Sequence, residues 1–352
     1  MTYIITNTWT QARHGHAHDE LLSIKDLLKS ISIDAKILSV DPAFGDFRVR
    51  SLGRAFQNLY FDRTRFLKPI VDTSYGIDLR RGIRNSTKGL HLTSKELAIT
   101  SSRFKHLLKI QDALRLFAEP RIRILDAPSD QKNWRILSEA LKRMHGNPVI
   151  AMEVKSSVVE SQKYFDGAIH VPSHYGMQTE SLSINRERDK IGIFWPVGRS
   201  FSTNEVVRLL DELRSQNPVV KLPTSMRSGD FKEIYPRIEF VEPGLGIEEF
   251  REILSRIKVA VLGYNGYNNQ SSGYVGYFMA NNVPILVSRT NTFFDEIKEI
   301  GRVYDLYDNK KGILGMVTTL MEDSLVLGRN YYSIFVENAW KCFLLDTNDR
   351  RN

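Results

Sequence analysis

A polar, glycine-containing segment between two apolar runs has the residue types best suited to binding an anion. Residues 259–263 predict a buried strand, and a second apolar run lies at 283–287. Between them, Ser271, Ser272 and Gly273 open a predicted helix. Free backbone N–H groups at a helix N-terminus, held at the carboxyl edge of a sheet, bind anions. We therefore expect an anion site here; the alternative is an ordinary N-cap followed by a close-packing glycine.

Carboxylates at strand ends in the first half of the chain are candidates for acid–base chemistry. Glu153 lies near the end of the predicted strand 149–154, where a carboxylate could act as a general base. The alternative is a salt bridge with Lys155 or with another basic neighbour. Asp126 and Asp130 flank another strand end and are the alternates.

The histidines near the N-terminus are the only metal-ligand pattern that stands out. His14, His16 and His18 alternate in what we predict to be a polar loop over residues 11–18. Alternate histidines suit a metal only if the backbone is extended, and no fourth ligand is evident nearby. The sequence also has no Asp-x-Asp motif of the kind that holds a divalent ion. We expect no metal, and the alternative for this segment is a His-rich polar loop without a ligand.

Strands and helices alternate through both halves of the sequence, which predicts parallel sheets. The first half begins with strand, helix and strand, and the alternation restarts after a polar segment at 172–190 that we interpret as a linker. Thr203 or Asn204 could cap the helix 206–214. The fold class predicted is α/β, with two doubly wound parallel-sheet domains. The segments behind this prediction are strands at 3–9, 35–40, 121–126, 149–154, 168–171, 191–196, 219–222 and 238–241, and helices at 21–31, 94–117, 132–144, 247–257 and 330–345.

Length and cysteine content set the broad class. A chain of 352 residues exceeds the usual size of one core, so two domains are expected. Cys342 is the single cysteine, which fits a reducing compartment. The first residues lack the pattern of a signal peptide, and no apolar run approaches the length of a membrane span. We expect a cytoplasmic protein.

Positive charge is concentrated in residues 47–125, which contain 17 Lys and Arg against 6 Asp and Glu. This segment therefore carries a net charge of +11, whereas the whole chain carries +8. The asymmetry indicates an anionic partner: membrane headgroups, an acidic glycan or nucleic acid. Nucleic acid is the weakest of the three, because clusters such as residues 80–84 lack interleaved aromatics for base stacking. The alternative is a solvated basic face with no specific partner.

Four segments in order resemble the GT-B glycosyltransferases, closest to their family-4-like group. Residues 193–199 resemble the strand and Gly-Arg turn that open the donor domain, and 238–257 resemble its strand, base-binding loop and helix. Residues 259–287 resemble the strand, loop and helix that bind the sugar diphosphate, and 330–343 resemble the terminal helix. The resemblance implies two Rossmann-like domains facing a cleft. They would be an acceptor-side domain at 1–180 and a donor domain at 187–329, with the segment 330–352 packing back on the first.

The resemblance also implies roles for individual residues. A phosphate ligand is implied at Arg199, and Lys221 ends the next strand in a similar position. The donor's base would lie against Glu242. The diphosphate and donor sugar would contact Tyr264, Tyr267, Asn269, Ser271, Ser272 and Gly273. Gly15 and His16 would face the acceptor and the diphosphate, and catalytic residues are implied among Glu153, His16 and Asp126.

This sequence departs from the family pattern at three positions. The paired glutamates of the family would fall at Asn269 and Tyr277, and its lysine after the Gly-Arg turn at Asn204. We expect transfer of a sugar from a nucleotide diphosphate-sugar to a glycan or lipid-linked acceptor, which could be anionic. No metal or cofactor is expected, and the basic segment would hold the protein peripherally on the inner face of the membrane. The alternatives are a nucleotide-sugar 2-epimerase and a non-catalytic sugar- or polyanion-binding protein of the same fold.

Overall fold

The structure is a computed structural model, and it forms two compact units. Unit 1 comprises Met1–His174 and Val336–Asn352, and unit 2 comprises Tyr175–Phe335. The residues that the structure describes are 2–7, 16–39, 47–48, 77, 80–81, 84, 96–114, 117, 119–144, 148–172, 188–195, 202–223, 225–242, 247–263, 273–290, 294–299, 301–307, 312–323 and 331–345.

Unit 1 contains a parallel sheet of seven described strands in the order β3-β2-β1-β4-β5-β6-β7. Apolar residues on the sheet's central strands pack into one buried core with the helices. The strands are β1 (Thr2–Asn7), β2 (Asp34–Ser39), β3 (Phe47–Arg48), β4 (Glu96–Arg103), β5 (Arg121–Asp126), β6 (Val149–Met152) and β7 (Ile169–His170). The helices are α1 (His16–Ser30), α2 (Phe104–Leu114), α3 (Gln131–Lys142) and α4 (Lys155–Ser161).

Two predictions for unit 1 are wrong. The segment 94–117, predicted as one helix, is strand β4 followed by helix α2. Leu97, Ala98 and Ile99 are fully buried in the middle of the sheet, and that tertiary burial overrides the helical spacing. The segment 11–18, predicted as a loop, gives way to helix α1 at His16.

Unit 2 contains a second parallel sheet, of six described strands in the order β10-β9-β8-β11-β12-β13. The strands are β8 (Lys190–Phe194), β9 (Val219–Lys221), β10 (Glu239–Phe240), β11 (Ile257–Leu262), β12 (Ile285–Val287) and β13 (Val303–Asp305). The helices are α5 (Thr203–Leu213), α6 (Gly229–Lys232), α7 (Ile247–Ser255), α8 (Gly273–Ala280), α9 (Phe294–Lys298) and α10 (Gly312–Glu322). A 3₁₀ turn, Arg214–Gln216, follows α5.

Helix α5 starts earlier than its apolar spacing predicts. Its N-cap is Ser202, whose Oγ accepts a hydrogen bond from the backbone N–H of Glu205 at 3.1 Å. The prediction of Thr203 or Asn204 as the cap is therefore wrong, because both residues lie within the helix. A serine hydroxyl satisfies one of the free N–H groups of the first turn, so the helix begins one residue after it.

The boundary between the units falls within α11 (Tyr331–Leu345), which belongs to unit 1 from Val336 onwards. Trp340 Nε1 donates to the carbonyl oxygen of Pro172 at 2.9 Å. Arg121 Nη1 donates to the carbonyl oxygen of Phe343 at 2.6 Å, and the Tyr3 hydroxyl donates to that of Leu344. Within the described residues, no helix has both the length and the hydropathy needed to cross a membrane.

Candidate functional site

The sheet of unit 2 has a topological switch point between β8 and β11. From β8 the chain proceeds outwards through β9 and β10, whereas β11, β12 and β13 extend the sheet in the opposite direction. Ligands of open α/β sheets bind outside the carboxyl ends of the strands at such a point. The residues level with one another at this edge are Lys221, Phe194 and Leu262. The residues that directly follow β8 and β11 are Trp195 and Gly263.

Trp195 lies against Gly263 at this switch point. Backbone bonds fix both residues, since Trp195 N–H donates to the Lys221 carbonyl at 3.2 Å and Gly263 N–H to the Phe194 carbonyl at 3.1 Å. A Cβ atom added to Gly263 would lie 2.6 Å from Trp195 Nε1, so only glycine leaves room for the ring. Trp195 is 1% exposed, and its Nε1 atom is buried with no hydrogen-bond partner in the part of the chain that the structure describes. A buried donor without an acceptor is rare in folded proteins.

Lys221 brings a partly buried positive charge to the same edge. Its Nζ atom lies 5.7 Å from the ring centroid of Tyr274, the second residue of α8. Burial lowers the pKa of Lys221. Among the ion pairs formed by the described residues, none involves this ammonium group. Among the described residues, the face of an aromatic ring is the group that lies against this charge.

Helix α8 begins at the same place, and its first turn is anchored by aromatic packing. Tyr274 stacks on Phe194 with ring centroids 5.2 Å apart, and burial raises the pKa of its hydroxyl. The described groups at this edge are thus an ammonium, an indole N–H and the N-terminal end of a helix. All three are donors or positive, so a fitting ligand presents acceptors and negative charge.

Glu242, predicted to contact the base, lies just after β10 and is half exposed. Its carboxylate pairs with Lys232 Nζ on α6 and accepts a hydrogen bond from Ser228 Oγ at 3.2 Å. The hydrogen bond from Lys232 lowers the pKa of Glu242. In this arrangement both contacts of the carboxylate are with neighbouring surface side chains.

Glu153 lies in a buried charge cluster at the carboxyl edge of the sheet in unit 1. Glu153 Oε1 is 3.4 Å from Arg123 Nη2, and Arg123 Nη1 is 3.0 Å from Glu20 Oε1 on α1. Arg123 Nε donates to the Val171 carbonyl at 2.6 Å, and its guanidinium lies 5.3 Å from the ring centroid of Trp340. Of the two alternatives left open by the sequence, the structure has the salt bridge to a basic neighbour. The role of Glu153 as a general base stays a prediction.

His170 completes this edge of unit 1. Its Nε2 atom lies 3.0 Å from the carbonyl oxygen of Glu153. Burial lowers the pKa of His170 to about 4, and the nearby positive charge of Arg123 acts in the same direction. The imidazole is therefore neutral at physiological pH.

For several predicted site residues, the structure gives the position of the backbone in a helix or strand. Gly273 begins α8, and Asp126 ends β5. His16 begins α1, so His16 and His18 lie on helical rather than extended backbone. This geometry is wrong for the extended-backbone metal pair, and no metal-ligand cluster is found among the described residues.

Other predicted site residues lie outside the described part of the chain. They are Gly15, Arg199, Tyr264, Tyr267, Asn269, Ser271 and Ser272. Of the positions that depart from the family pattern, Tyr277 is buried in α8 with its ring edge-on to Phe278, and Asn204 is exposed in the first turn of α5.

Sequence reasoning missed Trp195, Gly263 and Arg123 as site residues. The signal for Trp195 and Gly263 is that they directly follow the two central strands of the second sheet, β8 and β11. Arg123 interrupts an apolar strand, and a charge within a buried strand indicates a paired network. Neither signal identifies the partner, because the partners come from distant parts of the chain.

The fold of the chain is that of the GT-B glycosyltransferases, with two Rossmann-like units. TarM superimposes with a TM-score of 0.54 over 98% of this chain and 95% of its own, at 9% identity. Os79 from O. sativa, solved with UDP, gives 0.54 over 97% and 94%, also at 9% identity. AviGT4, a glycosyltransferase of avilamycin A biosynthesis, gives 0.50 over 98% and 93%, again at 9%. No protein family profile and no curated protein sequence matches the chain.

Proposed function

We propose that this protein is a glycosyltransferase that takes a sugar from a nucleoside diphosphate-sugar and transfers it to a glycan or lipid-linked acceptor. The observation that carries the proposal is a set of positive or hydrogen-bond-donating groups at the switch point of unit 2: the Lys221 ammonium, the Trp195 N–H and the start of α8. A diphosphate supplies the acceptors and charge that these groups lack. The GT-B fold and the UDP bound by Os79 support the same ligand class.

The chemistry asks for stabilisation of a leaving diphosphate while an oxocarbenium-like centre develops on the sugar. Lys221 and the N-terminus of α8 would neutralise the negative charge that builds up on that leaving group. Because these donors are held by strand ends and by aromatic packing, little reorganisation is needed during the reaction. In this scheme the charge is met by protein groups, and neither a metal nor a cofactor is required.

The residue that activates the acceptor hydroxyl is proposed to be one of Glu153, His16 and Asp126. Glu153 Oε1 is paired with Arg123, so Glu153 would accept the proton either on Oε2 or after that pairing is broken. The base is identified by three variants, Glu153→Gln, His16→Gln and Asp126→Asn. The one that lowers the transfer rate without weakening donor binding is the base.

A ligand screen tests donor binding directly. Thermal unfolding of the full chain is followed with UDP, GDP, ADP, their sugar conjugates and inorganic pyrophosphate, with the corresponding nucleosides as controls. A ligand that binds only the folded state raises the free energy of unfolding, by about 2.7 kcal/mol at a hundredfold excess over Kd, and the melting temperature rises with it. If none of these ligands gives a saturable shift, the proposal is wrong.

Turnover then separates the candidate activities. Product formed only when a glycan or lipid-linked acceptor is present, and retained after EDTA treatment, supports metal-independent transfer. An altered sugar nucleotide formed without any acceptor would instead identify a 2-epimerase. Saturable donor binding with neither product would identify a non-catalytic binding protein.

The basic segment 47–125 supports a proposed anionic partner for unit 1. Within it, Arg81 and Arg84 are exposed, and Arg80 is half-buried. We propose that this segment lies on the acceptor side. It would contact either an acidic glycan or the anionic inner face of the cytoplasmic membrane, to which the protein would bind peripherally. We expect no nucleic-acid partner.

A further inference from the structure

Trp195 combines three features that packing alone does not account for. It follows the first strand of unit 2 at the topological switch point, it is almost completely buried, and its Nε1 donor has no partner among the described residues. Leaving a buried donor unsatisfied is costly, and a phenylalanine, which has no N–H, would avoid that cost. The presence of an indole here therefore calls for an acceptor that the described protein groups do not supply.

The orientation of the indole indicates where that acceptor lies. The ring atoms closest to the missing side chain of Gly263 are Cε2, Cζ2 and Nε1, so the polar edge of the indole faces the end of β11. From there the chain runs to α8, which begins at Gly273. Lys221 approaches the same helix from the other side of β8, over the ring of Tyr274.

We propose that Trp195 is a ligand-binding residue whose indole N–H donates a hydrogen bond to a phosphoryl oxygen of the nucleotide, and that Gly263 is required because it leaves room for the ring. This inference rests on the proposed function. An indole N–H only donates, so it selects an acceptor such as a phosphoryl oxygen. Because Nε1 is shielded from water, a bond to an ionised oxygen forms in a low-dielectric surrounding, where it is strong.

The test compares Trp195→Phe with Trp340→Phe by calorimetric titration of UDP, GDP, ADP and inorganic pyrophosphate. Trp195→Phe removes the N–H but keeps an aromatic ring, and we expect roughly tenfold weaker binding of every phosphate ligand that wild type binds. Trp340→Phe is the matched control, since its N–H already donates to Pro172. It should leave affinity unchanged.

The two variants should also differ in stability. Both leave a cavity where the larger ring lay, but Trp195→Phe removes an unsatisfied buried donor, whereas Trp340→Phe breaks a satisfied hydrogen bond. The melting temperature without ligand should therefore fall less in Trp195→Phe than in Trp340→Phe. In Gly263→Ala, the added methyl group clashes with the indole ring, so both stability and phosphate affinity should fall. Both losses should be smaller when Trp195 is also replaced by phenylalanine, because the smaller ring leaves space for the methyl group.

A spectroscopic measurement follows the indole N–H in the wild-type protein itself. The wild-type chain has four tryptophans. With ¹⁵N-labelled indoles, one N–H signal should move downfield when UDP or pyrophosphate is added, and the signal absent from Trp195→Phe is the one that should move.

The outcomes separate this inference from the proposed function. If wild type binds no phosphate ligand, both are wrong. If wild type binds and Trp195→Phe binds equally well, or the indole signal is unmoved, only the role of Trp195 is overturned. If the variant loses affinity equally for uridine, guanosine or adenosine lacking phosphate, Trp195 contacts the nucleoside and the phosphoryl assignment is wrong.

Discussion

The charged side chains of this protein fall into two kinds of surroundings at the residue scale. Arg123 is completely buried but sits between two carboxylates, so its charge is compensated. Lys221 is partly buried and lies over an aromatic ring, and its ammonium forms no ion pair with the described residues. A partly buried charge at a strand end without a described counter-ion is typical of a binding site, where stability is given up for function.

Lys221→Met should stabilise the protein and weaken phosphate binding at the same time. In the folded state, burial lowers the pKa of Lys221, so the charged form is disfavoured at neutral pH. We expect a gain on the order of 1 kcal/mol in unfolding free energy at pH 7. The gain should shrink as pH rises through the folded-state pKa towards the unfolded value, because the wild-type lysine then becomes neutral in both states.

Lys298→Met is the matched control for Lys221→Met. Lys298 lies 6.0 Å from the ring centroid of Phe294 but is exposed. Neither stability nor UDP affinity should change measurably. A Lys221→Met protein that binds UDP as well as wild type would contradict the assignment of Lys221 to the site.

His170 should make the protein sensitive to acid. The folded state keeps a pKa of about 4 against an ordinary value of 6.5, so the unfolded chain binds more protons between these values. Stability is therefore lost as pH falls from about 6.5 to about 4, on the order of 2 kcal/mol at pH 5.

His170→Gln removes this titration. Its melting temperature should fall less than that of wild type between pH 7 and pH 5, when both are followed by circular dichroism in matched ionic strength. The same pH dependence in the two proteins would show that His170 is not the group responsible.

At the scale of elements, single capping side chains set where helices begin, and the spacing of apolar residues does not show which nearby polar residue is the cap. Ser202 caps α5, and Asp130 caps α3 by accepting from the backbone N–H of Asn133 at 2.8 Å. Asp130 also accepts from the Asn133 side chain at 2.5 Å. These contacts account for Asp130 as a cap, and its role as an alternate catalytic residue stays a prediction.

Asp130→Ala should lower stability by about 1 kcal/mol without changing the rate of sugar transfer. Asp130→Asn keeps a side-chain acceptor and should lose much less. Ser129→Ala, at the exposed position before it, is the control and should be neutral. Chemical denaturation measures all three, and a large loss of transfer activity at normal stability would return Asp130 to the catalytic candidates.

At the scale of the whole molecule, positive charge is segregated by sequence region. Residues 47–125 carry a net +11, while the remainder of the chain carries −3. A local excess of this size attracts anionic surfaces through an interaction that salt screens, with a Debye length of about 8 Å at 0.15 M and about 3 Å at 1 M.

The chain should therefore sediment with vesicles containing phosphatidylglycerol at low salt, be released near 1 M salt, and ignore pure phosphatidylcholine vesicles. Arg81→Glu should weaken binding, whereas Arg227→Glu, an exposed position in unit 2, changes the net charge equally and should have a smaller effect. Equal effects would mean that only total charge matters, and binding that resists salt would exclude an electrostatic contact.

The sequence by itself determined the α/β class, the parallel sheets and the position of strands such as β5, whose observed bounds match the predicted ones. Local periodicity carries that information, because an apolar run flanked by polar residues is buried wherever it lies. Strand β4 was not predicted, because its burial depends on its neighbours β1 and β5 rather than on its own pattern of apolar residues.

Only the tertiary structure decided how the site residues are paired. Lys221 and Tyr274 are far apart in the chain, as are Trp195 and Gly263, and Arg123 meets a glutamate on α1 and another after β6. Such pairings arise when parallel strands align their carboxyl ends. The spacing of residues along the sequence does not show which side chains then face one another. From the sequence alone, Trp195 is predicted to be a core residue. That its N–H has no partner among the described residues is visible only in the folded structure.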